Sequence, residues 1–440
     1  MHSIPEVAQI IRTVLTTVAD AKARPTGVVQ RRSKMTGALF VQTLVLTWLK
    51  NPAASLEELR QAAAALGVEI TPQGVAARFK PQAASLLKAV LDAAVGAVVS
   101  AAEPAAVELL QRFNGVVLQD SSIINLPQPL AMHWRGCGDS AGGHQAALKL
   151  EVRLDVLNGT LYGPLLEQGR TADAASLIQS LPLPDGALHI ADLGYFDLQA
   201  MAGIAGHNAF FLSRLQAQTA LFDMQGQPLD LLTLLQSRGN EVDMPVQLGH
   251  SQRLSVRLLA MRAPQEVGEQ RRRRMRAEAS RRQRPLTDRR LALADWTILV
   301  TNVPRHKLSL REAMVLARVR WQVELLFKLW KRDGRVDEWR SANPWRILCE
   351  VYAKLTAMVV QHWLLLTNCW AYPDRSMVKA ARAVRDHALL LLYALTQLID
   401  LSRVIRQIAQ CLATSCRMKR RRQAPNTYQL LLYLEQGGLA

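Results

Sequence analysis

Two aspartates in the central part of the chain directly follow short apolar segments typical of buried strands. Asp120 comes after VVLQ, at the expected C-terminal end of one strand, and Asp192 comes after LHIA, at the expected end of another. Loops at the carboxyl ends of strands form sites in sheets of this kind. If the two strands are neighbours, the carboxylates converge, and a cation bound between them relieves their repulsion. The positions therefore predict an oxygen-ligand site for a hard divalent ion.

A third carboxylate, Glu324, lies in the segment LARVRWQVELLFKLWKR, whose apolar spacing predicts a long amphipathic helix from about Leu310 to Arg332. Arg320 precedes Glu324 by one helical turn, and Lys328 and Lys331 follow it by one and two turns. Helical periodicity places these charged side chains on one face. Taken alone, such a face is usually an ion-paired surface. Glu324 is therefore a candidate metal ligand only in combination with the two aspartates.

The elements that must position these residues begin with an N-terminal helical region. Ser55 with Glu58 predicts a capping box, and Thr71-Pro72 predicts the start of a second short helix. Two helices joined by a short glycine-containing turn can form a helix-turn-helix that binds DNA. An ordinary helical hairpin is an equal alternative, because only Arg78 and Lys80 supply basic charge near the second helix.

From residue 115 the pattern changes to β-β-β-α-β-α-β. GVVLQ, QAALKLEVRLDVL and TLYGPLLEQG predict three antiparallel strands, with a hairpin turn at Asn158-Gly159. ADAASLIQSL and DLQAMAGIA predict helices, and ALHIA and NAFFLSRL predict the strands that follow them. Antiparallel strands followed by helices that connect one strand to the next are typical of an α/β fold. The pattern therefore predicts a mixed sheet with helices on its faces.

Charge is concentrated outside the predicted carboxylate site. The chain has 54 Lys and Arg against 36 Asp and Glu, a formal net charge of +18. Eleven arginines and four acidic residues lie between Arg262 and Arg290, and RMKRRR near the C-terminus adds five positive charges. The arginine run has no apolar periodicity and predicts a solvated or mobile element that contacts phosphates, although a plain solvated charge run is an alternative. This balance favours nucleic acid as the partner over an anionic membrane.

Other features exclude several classes of protein. The 49% hydrophobic content over 440 residues excludes wholesale disorder. Five scattered cysteines predict buried thiols and give no disulfide scaffold or zinc spacing. Leu355 to Tyr372 is interrupted by polar residues and predicts a buried helix instead of a membrane span. The N-terminal residues do not resemble a secretory signal, so we expect a cytoplasmic protein.

Together, the two aspartates, the strand-rich insertion and the R-x3-E-x6-K helix closely resemble the DDE transposases of bacterial insertion sequences that carry the Y-x2-R-x3-E-x6-K signature. The matching residues are Arg320, Glu324 and Lys331, and ADLGYF contains Asp192. The resemblance spans about residues 30–370. It implies a ribonuclease H-like core in which Asp120, Asp192 and Glu324 bind two Mg²⁺ or Mn²⁺ ions for phosphoryl transfer to DNA.

The resemblance also implies roles for the neighbouring residues. Arg320 and Lys331 would hold phosphates of the transposon end, with Lys328 on the same face. Trp296, before the signature helix, would stack on a distorted base, although a core tryptophan at a strand edge is an alternative. Arg214, in the SR pair after the fifth strand, would contact DNA or form a structural ion pair. Independently of the resemblance, the small hydroxyls of Ser121 and Ser122 suit a tight turn beside the metal site, although ordinary surface serines are the commoner explanation.

The predicted domains are a helical DNA-binding domain at 1–105, a catalytic core at 106–214 and 296–345, a strand-rich and arginine-rich insertion at 215–295, and a helical C-terminal region at 346–440. The implied partners are transposon-end and target double-stranded DNA. A homodimer is expected because two ends must meet, and the C-terminal helices are candidates for its interface.

One residue departs from the signature: Ala317 occupies the tyrosine position. Alanine maintains a helix but removes a hydroxyl and a ring that would contact a phosphate. Two alternatives therefore stay open: a catalytically impaired relative that only binds DNA, and a standalone metal-dependent nuclease on the same core.

Overall fold

The computed structural model of the chain describes residues 2–31, 33–138, 144–281, 283, 285–419 and 425–435. Parts of two predicted basic segments, Arg282 and Arg284 in the arginine run and residues 420–422 in RMKRRR, lie outside the described residues. Two compact units are present. Unit 1 comprises Met1–Val107, Asp120–Thr171 and Gln322–Pro425, and unit 2 comprises Glu108–Gln119, Ala172–Trp321 and Asn426–Ala440.

The α-helices are, in chain order, α1 (Ile4–Arg12), α2 (Ala19–Ala23), α3 (Gly37–Lys50), α4 (Leu56–Ala65), α5 (Pro72–Ala76), α6 (Pro81–Gly96), α7 (Glu108–Gln111), α8 (Leu198–Gly206), α9 (Leu231–Ser237), α10 (Gln265–Arg281), α11 (Asp288–Leu293), α12 (Leu310–Val319), α13 (Trp321–Lys328), α14 (Pro344–Leu366), α15 (Met377–Asp386), α16 (Ala388–Leu395), α17 (Leu401–Thr414) and α18 (Thr427–Glu435). Two π-helical segments, Thr13–Val18 and Leu329–Asp333, continue α1 and α13.

The strands are β1 (Val116–Leu126), β2 (Arg135–Gly138), β3 (His144–Asp155), β4 (Leu161–Gln168), β5 (Leu188–Ala191), β6 (Phe210–Arg214), β7 (Leu221–Phe222), β8 (Pro228–Leu229), β9 (Glu241–Leu248), β10 (Leu254–Arg262) and β11 (Trp296–Thr301). Parallel pairs join β1 to β5 and β5 to β6, whereas β3 with β4 and β6 with β11 are antiparallel. The predicted α/β class with a mixed sheet and flanking helices is confirmed.

Unit 1 is built around the apolar helix α14, which packs against α3 and α6. The predicted buried helix within Leu355 to Tyr372 is confirmed, because α14 is buried along almost its whole length. The N-terminal caps are confirmed as well. Ser55 forms a capping box with Glu58, and Thr71 accepts a hydrogen bond from the Gly74 backbone amide.

Strand β3 of unit 1 buries a row of charged side chains, which the sequence did not predict. Its residues alternate between apolar and charged, a pattern typical of a strand with one solvated face. Both sets are buried here, since Lys149 is 2% exposed and Glu151 is fully buried. The Lys149 ammonium lies 2.7 Å from the Glu151 carboxylate and also donates to the Thr171 carbonyl. Pairing of this kind is what allows charges to be buried.

Unit 2 contains the strand series β5-β6-β11-β10-β9-β7-β8, with the first four residues of β1 beside β5. Its hydrophobic cluster includes Phe211 of β6, Leu258 of β10 and Trp296 of β11. Helix α8 lies near β6 and connects it to β5, as expected for a crossover. The predicted helix in ADAASLIQSL was wrong in type: it is a pair of 3-10 turns, Asp173–Ala175 and Leu177–Ser180.

Two other predictions need correction. The arginine run was predicted to be a solvated or mobile element, but residues 265–281 form the helix α10, because arginine favours helix and two arginines of the run anchor it. The single helix predicted from Leu310 to Arg332 is divided into α12, α13 and a π-helical end, with the break at Arg320. The cysteines are all free thiols, and Cys137 is exposed where a buried thiol was expected.

The helices of the described residues all fall short of the combined length and hydropathy that a bilayer span requires.

A buried histidine on α14 predicts a loss of stability in acid. His362 is 1% exposed, and its Nε2 donates to the Gly159 carbonyl at 2.7 Å. Gly159 has a φ of +72°, and a Cβ there would overlap Leu366 and Trp370, so glycine permits this close approach. Burial lowers the pKa of His362 from 6.5 to about 4. In the unfolded chain the imidazole regains its ordinary pKa.

The folded state therefore disfavours the protonated imidazole. Stability is complete above about pH 6.5 and falls as the pH drops towards 4, by about 3 kcal/mol in total from this group. The free energy of unfolding can be measured by urea titration at several pH values across this range. It should fall more steeply with decreasing pH for the wild type than for His362→Gln, because glutamine does not titrate. The exposed His207→Gln is the control and should follow the wild type. Parallel pH profiles for wild type and His362→Gln would contradict this assignment.

Candidate active site

Asp120 lies within a strand and not at its end. The apolar run stops at Gln119, and the parallel pairing with β5 also stops there, opposite Ala191. Strand β1 nevertheless continues to Leu126, and Asp120, Ser121 and Ser122 are partly exposed, in contrast to the four buried residues before them. The prediction of a strand end at Asp120 was therefore wrong. Asp120 instead begins the part of β1 that extends past its parallel partner.

Unit 1 brings Asp120 and Glu324 to the same cavity. This cavity has a volume of about 380 Å³, and its polar lining consists of Asp120, Ser121, Ser122, Glu324, Lys328, Lys331 and Arg332. Helix α13 supplies Glu324 from its first turn and Lys328 from its last. The predicted association of the first aspartate with the charged face of the signature helix is thus observed for these side chains.

Lys331 belongs to the π-helical segment that follows α13. Its Nζ donates a hydrogen bond of 2.8 Å to the Ile123 carbonyl of β1. The ammonium group is therefore held at the exposed part of the same strand that carries Asp120. In addition, the Ser121 backbone amide donates to the Asp120 carboxylate at 2.9 Å. These contacts hold the Lys331 ammonium and the Asp120 carboxylate in place beside the cavity that Glu324 and Lys328 also line.

The oxygen ligands of this cavity fit a hard divalent cation. Carboxylates and hydroxyls are the donors that Mg²⁺ and Mn²⁺ prefer, and Asp120, Glu324 and the two serines provide them. Within the described part of the chain, no three His, Cys, Asp or Glu side chains are close enough together to hold a metal ion. The cavity of unit 1 thus supplies two carboxylates of a possible metal site.

Unit 2 contains Asp192 and Arg320. Asp192 directly follows β5 and precedes the 3-10 turn Leu193–Tyr195, with its side chain 48% exposed. The Arg320 guanidinium lies 3.9 Å from the Asp192 carboxylate. Arg320 is the residue at which α12 ends, so the first basic residue of the signature is placed beside the second aspartate. Ala317 lies inside α12, where alanine maintains the helix as expected.

The remaining predicted DNA contacts, Trp296 and Arg214, are also in unit 2. Trp296 opens β11 opposite Arg262, is only 9% exposed and packs in the hydrophobic cluster. Stacking on a base would require this ring to leave the cluster. Arg214 is the exposed last residue of β6, opposite Leu299. Its predicted ion pair to a carboxylate is not found among the described residues.

Sequence reasoning missed Arg271, which connects α10 to the strand of Trp296. Its guanidinium donates to the Trp296 carbonyl and to Thr297 Oγ1, both at 2.9 Å. Burial, and next the like charge of Arg214, lower the pKa of Arg271 below its ordinary value. Arg214 and Arg271 are therefore neighbours. Only the density of the arginine run hinted at such a residue, and nothing in it distinguished Arg271 from the others.

Comparison with known proteins gives consistent results. The family model described as a transposase DDE domain matches residues 111–360, more than half of the chain. The chain is 23% identical to the transposase for insertion sequence element IS231B of Bacillus thuringiensis subsp. berliner, over 96% of this chain and 94% of that protein. It is 25% identical to the IS231C transposase of the same subspecies, over 88% and 86%. The transposase for IS1151 of Clostridium perfringens is 21% identical over 58% of each chain.

Proposed function

Because the chain belongs to the transposase DDE domain family, it is a DNA transposase, and we propose that it moves an insertion sequence by a metal-dependent cut-and-paste reaction. The observation that carries the reaction chemistry is the cavity of unit 1. There Asp120 and Glu324 line the same space as Lys328 and Lys331. A pair of carboxylates with adjacent cations suits phosphoryl transfer, in which negative charge must be both bound and neutralised.

Asp120, Asp192 and Glu324 are the proposed ligands of two Mg²⁺ or Mn²⁺ ions. Asp192 is the third proposed ligand, because it directly follows β5, the parallel partner of the β1 segment that ends at Gln119. Divalent ions bound by this set would supply Lewis acidity for in-line displacement at phosphorus. Within this proposal the core is ribonuclease H-like, and the strands β7 to β10 form the insertion.

The basic residues are proposed to hold DNA. Lys328 and Lys331 would neutralise phosphates beside Asp120, and Lys331 would exchange the Ile123 carbonyl for a phosphate oxygen. Arg320 would hold a phosphate beside Asp192, and Arg214 would contact the backbone. Trp296 would stack on an unpaired base after release from its cluster, a contact worth about 1–3 kcal/mol. We further propose a homodimer on two ends, acting at the nucleoid in the cytoplasm.

An end-joining assay tests this function. The substrate is the DNA that flanks the gene, which is expected to carry terminal inverted repeats, mixed with a supercoiled target plasmid. We expect the purified protein to cut the ends and join them to the target. A standalone nuclease would cut without joining, because it uses only water as nucleophile. A silent DNA-binding relative would do neither, and either result would overturn the proposal.

A further inference from the structure

Helix α10 of unit 2 has two distinct faces, although its composition is that of a uniformly solvated charge run. Seventeen residues, Gln265–Arg281, form the helix. Gly268, Arg271 and Arg272 are spaced three and four residues apart, so they share one face, and the partly buried Met275 extends it. Arg273, Arg274 and Arg281 project from the other side and are exposed.

The first face anchors the helix to the start of β11. Arg271 donates to the carbonyls of Ala294 and Trp296, and Arg272 forms an ion pair with Asp295. A Cβ on Gly268 would overlap the Asp295 carboxylate, so glycine is needed for this close approach. These contacts tie two arginines to the start of β11 and fix the rotation of α10 about its axis. The direction of the remaining arginines is thereby fixed too.

The second face has no comparable partners within the protein. For Arg273, Arg274 and Arg281 the described residues contain no ion-pairing carboxylate. Glu278 lies between Arg274 and Arg281 on this side of the helix, four residues after the one and three before the other. Three exposed arginines against one glutamate leave this face with a net positive charge, which the phosphates of a polyanion would neutralise. We propose that the exposed face of α10 is a docking surface for the phosphate backbone of duplex DNA.

Spacing supports duplex DNA as the occupant. Arg274 and Arg281 are seven residues apart and lie on one stripe of the helix, about 10 Å from one another along its axis. Phosphates recur at every base-pair step of each strand, so two long arginine side chains at this separation can reach two of them. Two guanidinium groups on a fixed stripe can therefore contact two backbone phosphates at once. Guanidinium also binds phosphate through two parallel hydrogen bonds. A fixed helix orients the guanidinium for this contact better than a mobile segment would.

This inference rests on the proposed function, since it assigns a DNA contact to the same enzyme. The test is the salt dependence of binding to duplex end DNA in the absence of divalent ions. Each phosphate contact contributes about 0.9 to the slope of log K against log salt concentration. Arg274→Gln combined with Arg281→Gln should therefore lower the slope by about two. Arg274→Lys combined with Arg281→Lys retains both charges and should retain the slope.

Arg238→Gln combined with Arg305→Gln is the matched control, because it removes the same charge from two exposed positions of unit 2. The Asp243 partner of Arg305 stays paired with Arg257 in this variant. We expect the control to show the wild-type slope and all variants to show the wild-type circular dichroism. A wild-type slope for the glutamine variant, or an equal drop in the control, would overturn the inference. Failure of end joining by the wild type would overturn the proposed function instead.

Discussion

Asp120→Ala is expected to reduce the rate of strand cleavage at the element ends by at least about 10³-fold, with affinity for the same DNA unchanged. The carboxylate lines the cavity with Glu324, and its removal takes away one of the proposed metal ligands. Stabilisation of transition-state charge by a bound metal ion contributes several kcal/mol, and each 1.36 kcal/mol corresponds to a tenfold change in rate. DNA affinity depends on the basic residues, which this substitution leaves in place, so binding and cleavage should separate.

A single-turnover cleavage assay with labelled end DNA measures the rate, and gel-shift titration of the same DNA measures affinity. Asp185→Asn is the matched control, because it removes one exposed carboxylate of the same type outside the cavity. It should cleave at the wild-type rate. Cleavage at the wild-type rate by Asp120→Ala would remove Asp120 from the proposed metal site.

Local sequence patterns predicted much of the scaffold because the signals are short-range. The hairpin at Gly159, the capping box at Ser55 and the buried helix α14 each depend on residues close together in the chain. The signature spacing likewise predicted that Lys328 and Glu324 share a helix face, and both side chains line one cavity. Such features follow from helical or strand periodicity alone.

The remaining features depend on partners distant in sequence. Strand β1 continues through Asp120 although its apolar run stops at Gln119. The contact between Lys331 and the Ile123 carbonyl joins residues 208 positions apart, and periodicity carries no information about it. Helix α10 is fixed by Arg271 and Arg272 through acceptors more than 20 residues away. Burial of Trp296 likewise follows from packing between strands that only the fold brings together.

Removal of divalent metal is the second large effect that we expect. Lys328 and Lys331 can hold phosphates without a metal ion, so DNA binding should survive chelation. Asp120 and Glu324, by contrast, repel the single phosphate that must enter the cavity to react, unless a cation is bound between them. Cleavage should therefore stop in a chelator and return when Mg²⁺ or Mn²⁺ is restored.

The most direct test of the central claim is the rate of end cleavage as a function of free Mg²⁺, measured for the wild type and for Glu324→Gln. Glutamine retains the size of the side chain and removes its charge. The account predicts no cleavage by the wild type in EDTA, a saturable rise with Mg²⁺, and at least about a 10³-fold lower plateau for Glu324→Gln. Equal cleavage with EDTA and with Mg²⁺, or a wild-type metal response in Glu324→Gln, would contradict it.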